Sequence, residues 1–255
     1  RSRPLKAHTL LPLAEKYHTT GIQGATSMLA SLNESNCGAM YSSATLVAFC
    51  SLARGPQLGE FLAFSSHGPA ELFNLLRGIR LIATSQREEL DSGVLATRIE
   101  ADTSKRFVGP LQPCPDYKPP ISELRWFINS NSELLAPFAE TYLGALDALL
   151  RSFQSIYAPG DNTANDDQGS QMVFGWLYRA SDEYIRCLQE KQPIALIIFA
   201  LFAVLLRETD NQWFMEGWVH HIIGGVRQFV PDELQQWLKW PIEQTKFNTK
   251  DGQVF

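Results

Sequence analysis

Glu216 and His220 stand four residues apart, a spacing that puts a carboxylate and an imidazole on one face of a helix. Such a pair can move protons or share a metal ion. A zinc site needs a third protein ligand, and none stands at a suitable spacing, so the plainer use is a structural hydrogen bond. His220 and His221 are adjacent and point to different helical faces. His67 precedes Gly68-Pro69, where a polar side chain can cap a helix entry. Arg77 and Arg80 lie three apart in "LLRGIRLI". They are either solvated or ion-paired, or one of them anchors a polar head at a pocket mouth. Gly78 between them would let a helix or a flat ligand approach the backbone. Cys37, Cys50, Cys114 and Cys187 are too far apart for a compact zinc cluster and read as reduced, buried thiols. No glycine-rich phosphate loop and no serine elbow occurs, and no metal or cofactor is expected.

The elements that would position these groups are helical. Leu72, Leu75, Leu76, Ile79 and Ile82 recur at three and four, with Pro69 expected in the first turn. Leu135, Phe138, Tyr142, Leu146, Leu149 and Phe153 repeat the pattern, as do Val173, Leu177, Ala180, Tyr184 and Leu188. No series of alternating short strands is found. The expectation is an all-α fold, a single irregular globule of about nine or ten helices with an internal hydrophobic pocket. Residues 109–120, with five of the fourteen prolines, read as an extended connector, and 160–170 as a polar loop, both outside helices. Uniform composition suggests one domain over 1–255.

The chain is 45% hydrophobic, only 19% charged and carries a net charge of -5, which argues against gripping a nucleic-acid backbone. Thirteen consecutive apolar residues, Ile194 to Leu206, are too few for a membrane span, which takes about 20. A segment apolar all round must be covered all round, by helices or by something that is not protein. The absent initiator Met suggests a piece of a longer protein, and no signal peptide is seen, so an intracellular place is expected.

Several stretches taken together resemble a known family. "AHTLLPLAEKYHTTGIQGATSMLASLNESNCGAMYSSATLVAFCSLA", "ELFNLLRGIRLI" and "QPIALIIFALFAVLLRETDNQWFMEGWVHHIIGGV", closed by "WLKWP", are similar to segments of fungal zinc-cluster regulators of the sterol uptake control type. The match runs from about Ala7 to Pro241. The resemblance implies an all-α C-terminal regulatory domain that binds ergosterol or another lipid, acts between cytoplasm and nucleus, and often dimerises. The family's six-cysteine DNA-binding cluster has no counterpart here.

On this reading the hydrophobic ligand, sterol-like or a polyketide or terpenoid, lies beside Ile194–Leu206. Burying about 400 Å² of apolar surface would contribute on the order of 10 kcal/mol before entropy costs. The residues expected around it are Phe73, Arg77, Leu196, Phe199, Phe202, Trp213, Phe214, Met215, Gly217, Trp218 and His221. The other reading is an enzyme on the same scaffold, an isomerase or cyclase of a hydrophobic metabolite. It would draw its polar groups from His67, Glu216, His220 and His221. Sensing predicts a pocket of carbon, whereas catalysis predicts a buried polar pair facing it.

Overall fold

The helical spacing is realised as ten α-helices among the residues that the computed structural model describes: 4–29, 31–33, 35–68, 70–85, 113–157, 169–209 and 212–246. They are α1 (Pro4–Leu29), α2 (Cys37–Ala53), α3 (Glu71–Ser85), α4 (Lys118–Ser130), α5 (Ala139–Tyr157), α6 (Gly169–Arg179), α7 (Asp182–Gln189), α8 (Pro193–Leu206), α9 (Trp218–Phe229) and α10 (Lys239–Thr245). Three 3-10 turns join them, at Arg207–Thr209, Trp213–Met215 and Asp232–Leu238. The described residues hold no strand, only an isolated antiparallel bridge between Glu60 and Ser65. The fold is all-α.

Several expected boundaries move, each for a local reason. The proline-rich connector ends early, because Pro119 and Pro120 sit in the first turn of α4, where a missing N–H costs nothing. Residues 109–112 lie outside the described residues. So do 160–168 of the polar loop, whose last two residues already belong to α6. Leu135 and Phe138 precede α5, in a turn that contains Pro137. The apolar period running from Val173 to Leu188 spans two helices, because Ser181 restarts the chain. Its hydroxyl accepts the Tyr184 N–H at 3.2 Å, and Asp182 and Glu183 occupy the positive first turn. α3 starts at Glu71, so His67 lies three residues before the position that would cap it.

The chain divides into two compact units: Arg1–Arg54 with Glu71–Ser104, and Gly55–Ala70 with Lys105–Phe255. In the first, α2 packs on α1 and α3. Its core takes Met40, Val47, Ala48 and Leu52 from α2 with Leu72, Phe73, Ile79 and Ile82 from α3. In the second, α5, α6, α7, α9 and α10 all pack on α8. Every residue from Ile194 to Leu206 is between 0% and 3% exposed. Protein therefore covers the apolar run on all its faces. No single described helix is long and apolar enough to cross a membrane.

Candidate functional site

α8 is held at its first turn by a buried tyrosine. The Tyr184 hydroxyl donates to the Ala195 carbonyl at 3.0 Å, which satisfies the phenol inside the core. From Tyr184 a continuous series of rings crosses the second unit. Tyr184 meets Trp176 edge-on at 5.5 Å, Trp176 stacks on Phe202 at 4.6 Å, and Phe202 stacks on Phe199 at 5.7 Å. Phe199 then meets Phe64 edge-on at 5.9 Å, Phe64 stacks on Phe61 at 4.9 Å, and Phe61 stacks on His221 at 4.9 Å. Trp176 also donates its indole N–H to the Ala145 carbonyl. Where a ligand cavity is expected beside Phe199 and Phe202, the space next to them is taken by Trp176 and Phe64.

Phe61 and Phe64 come from "GEFLAFSSHG" (59–68), a segment that loops into the core rather than over the surface. Its tip is closed by the Phe61 N–H donating to the Phe64 carbonyl and the Ala63 N–H donating to the Phe61 carbonyl, both at 2.8 Å. The second bond is a γ-turn about Leu62, whose φ of 69° lies in the left-handed region that a bulky residue rarely adopts. Phe61, Leu62, Ala63, Phe64 and Ser65 are all buried.

α9 receives the loop at Gly225. A Cβ at that position would overlap the Phe61 ring, so the bare backbone is what lets the ring seat. Two side chains hold the ends of the loop. His221 Nε2 lies 2.9 Å from the Glu60 carbonyl, and Lys191 Nζ donates to the Ser66 carbonyl at 3.2 Å while lying over the Phe229 ring. A carbonyl only accepts, so His221 Nε2 carries the proton in that bond.

Leu196, Phe199, Phe202, Met215 and Trp218 are buried in the second unit. Phe214 is half-buried, and Trp213 is 75% exposed, so the latter lies outside the core where a pocket wall was expected. Phe73 and Arg77 belong to the first unit, Phe73 buried and Arg77 exposed. A Cβ at Gly78 would meet no described residue within 4 Å, so none of them approaches closely there. Gly217 caps α9 with φ 82°, a left-handed turn, and an added Cβ would touch the Pro56 side chain at 3.6 Å, an ordinary contact. Its role is therefore first conformational.

The proposed catalytic groups do not converge. Glu216 precedes Gly217 and lies outside α9, so the helical face it was expected to share with His220 does not form. Glu216, His220 and His67 are exposed, and His221 is half-buried. Partial burial, helped by the Arg207 guanidinium, lowers the His220 pKa. The described residues hold no group of three or more His, Cys, Asp or Glu that could bind a metal ion.

Spacing alone missed Phe61, Phe64, Lys191, Gly225 and Phe229. The available signal was an apolar tetrad, Phe61 to Phe64, between two glycines in a loop. A surface cavity of about 580 Å³ lies elsewhere, lined by Cys114, Asp116, Tyr117, Lys118, Gln154 and Tyr157. Tyr157 donates to Glu208 Oε1 at 2.7 Å, and burial together with that bond pushes its pKa far up. None of these lining residues belongs to α8. No family model, curated protein or solved structure matches the chain.

Proposed function

We propose that this chain is a regulatory domain that binds a hydrophobic small molecule, sterol-like or of polyketide or terpenoid type, in its second unit. The observation that carries the reading is the use made of His221, whose imidazole stacks on the aromatic core. His221 donates a hydrogen bond from Nε2–H to the Glu60 carbonyl, while His67, Glu216 and His220 are exposed. Rings and aliphatic carbon therefore surround α8, so a ligand that displaced part of this packing would be recognised by shape and area. A proton-transferring isomerase or cyclase would need a free acid and base against the same carbon surface.

In this reading the domain works between cytoplasm and nucleus as part of a transcription regulator and can form homodimers. A sensor must bind its ligand with different free energies in two conformations, since equal binding shifts nothing. The test is native mass spectrometry of the purified chain, followed by organic extraction and titration with the fluorescent sterol dehydroergosterol. A co-purifying apolar adduct, or saturable sterol binding, is expected, and the same spectrum reads the dimer. A chain that carries nothing and binds no member of a sterol, terpenoid and polyketide panel would sink the reading.

A further inference from the structure

The segment Glu60–Ser66 combines four features that a plain core loop does not need together. Its middle places two phenylalanine side chains between α8 and α9, against Phe199, Phe229 and the bare Gly225. Its tip carries Leu62 in a left-handed γ-turn, a conformation that persists only because the surroundings impose it. Its ends are flanked by Gly59 and Gly68, both at positive φ, where large backbone changes are cheapest. Each end is also fastened by one side-chain donor acting on a backbone carbonyl, His221 on Glu60 and Lys191 on Ser66. Two outer fastenings, two hinges and a strained tip describe a strap.

We propose that Glu60–Ser66 is a releasable strap that fills the apolar slot between α8 and α9, and that the ligand binds by displacing Phe61 and Phe64 from it. The proposal rests on the reading of the chain as a binder of hydrophobic molecules, and it names where and what. Two phenylalanine side chains bury roughly 150–250 Å² each, the area of a flat multi-ring molecule. The slot they vacate is walled by the Phe199, Phe229 and His221 rings and floored by backbone at Gly225. Release of the strap also frees the His221 and Lys191 donors. A flat, mostly apolar ligand with an acceptor oxygen, a hydroxyl or ketone, would replace the lost carbonyl partners. The strap and the ligand compete for one slot, so the slot stays closed when empty.

The test is native-state hydrogen exchange on the whole chain, with and without dehydroergosterol. The Phe61 and Ala63 amides, bonded within the strap, and the Ser66 amide, bonded to the Gly59 carbonyl at its base, are expected to exchange through an opening that leaves the α8 amides protected. Saturating sterol should speed exchange at those three amides at least about tenfold while protection in α8 holds or rises. Gly225→Ala places a methyl group where the Phe61 ring sits, so it should open the strap without sterol and tighten sterol binding about tenfold. If that variant does not fold, the wild-type exchange data decide alone. Sterol bound with the strap amides unchanged or slower would overturn the strap as the site and leave the lipid reading standing. Strap amides that exchange only with global unfolding would overturn it too. An opening strap with no sterol bound by either chain would overturn the lipid reading on which the proposal rests.

Discussion

α2 and α8 share a lack of charged residues and meet opposite fates. Their sequences are "CGAMYSSATLVAFCSLA" and "PIALIIFALFAVLL". Every apolar position from Ile194 to Leu206 in α8 is sealed, whereas α2 leaves Leu46 at 64% and Phe49 at 45% exposure, with Cys50 exposed beside them. Those three positions follow helical spacing, so α2 has an outer face and α8 has none. The difference lies in coverage: α1 and α3 pack on α2 within its unit, and five helices and the Phe61–Phe64 loop surround α8. An apolar run thus specifies that a helix can be buried, while its neighbours decide whether it is.

The largest expected effect comes from opening a hole in α8. Phe202 is fully buried between Trp176 and Phe199. Phe202→Ala should cost about 3–5 kcal/mol in urea unfolding, the range for deleting a buried ring. A loss below about 1 kcal/mol would mean that α8 is not the packed centre its burial indicates.

Gly217→Asp comes next. The left-handed turn at Gly217 makes any side chain there strained, by about 1–2 kcal/mol, although Asp is among the residues that visit this region. The variant should melt lower yet remain folded, since the new Cβ meets Pro56 at ordinary contact distance. It should also bind dehydroergosterol more weakly, because the charge lands where the chain enters α9. Unchanged affinity in the folded variant would remove Gly217 from the site.

These two positions show what could be read from the sequence and what could not. α8 was legible as a helix because thirteen apolar residues after a proline admit little else, whereas the neighbours that seal it are set by the fold. The loop at Phe61–Phe64 was not legible, because nothing local distinguishes an apolar tetrad that plugs a core from one that begins a strand. Gly224 and Gly225 are indistinguishable in "IIGGV", yet a Cβ meets open space at one and the Phe61 ring at the other. Likewise the pairing of Glu216 with His220 assumed an unbroken helix, and the left-handed Gly217 breaks it. Helical period is a property of the local chain, whereas a loop's destination is a property of the fold.

Tyr184→Phe tests how α8 is tied at its first turn. Removing the hydroxyl leaves the ring on Trp176 and deletes the bond to Ala195, so about 1 kcal/mol is expected in thermal or urea melts. No change would mean that packing alone positions the start of α8.

A gentler probe is pH. Burial and Arg207 hold the His220 pKa below that of the unfolded chain, so the unfolded state binds more protons just below neutrality. Stability should therefore begin to fall as pH drops through about 6.5, the ordinary histidine value, and level off once the lower folded pKa is passed. Exposure of His220 screens the effect, so the slope is shallow. Melting His220→Gln beside the parent across this range isolates it, and an identical slope in both would assign the pH dependence to other groups.

The smallest effect is expected on the outer face of α2. Leu46 is largely in solvent already, so Leu46→Ala removes little buried area and leaves no cavity. Alanine is also at least as good a helix former as leucine. The net change should lie within about 0.5 kcal/mol of zero by urea unfolding, the range of surface substitutions clear of caps and cores. Leu52→Ala on the buried face of the same helix gives the scale, since deleting a buried leucine side chain costs about 2–5 kcal/mol. A loss at Leu46 approaching that at Leu52 would mean that the outer face is covered in solution. The contrast between α2 and α8 would then be one of partners, and the charge-free composition of both helices would have a single cause.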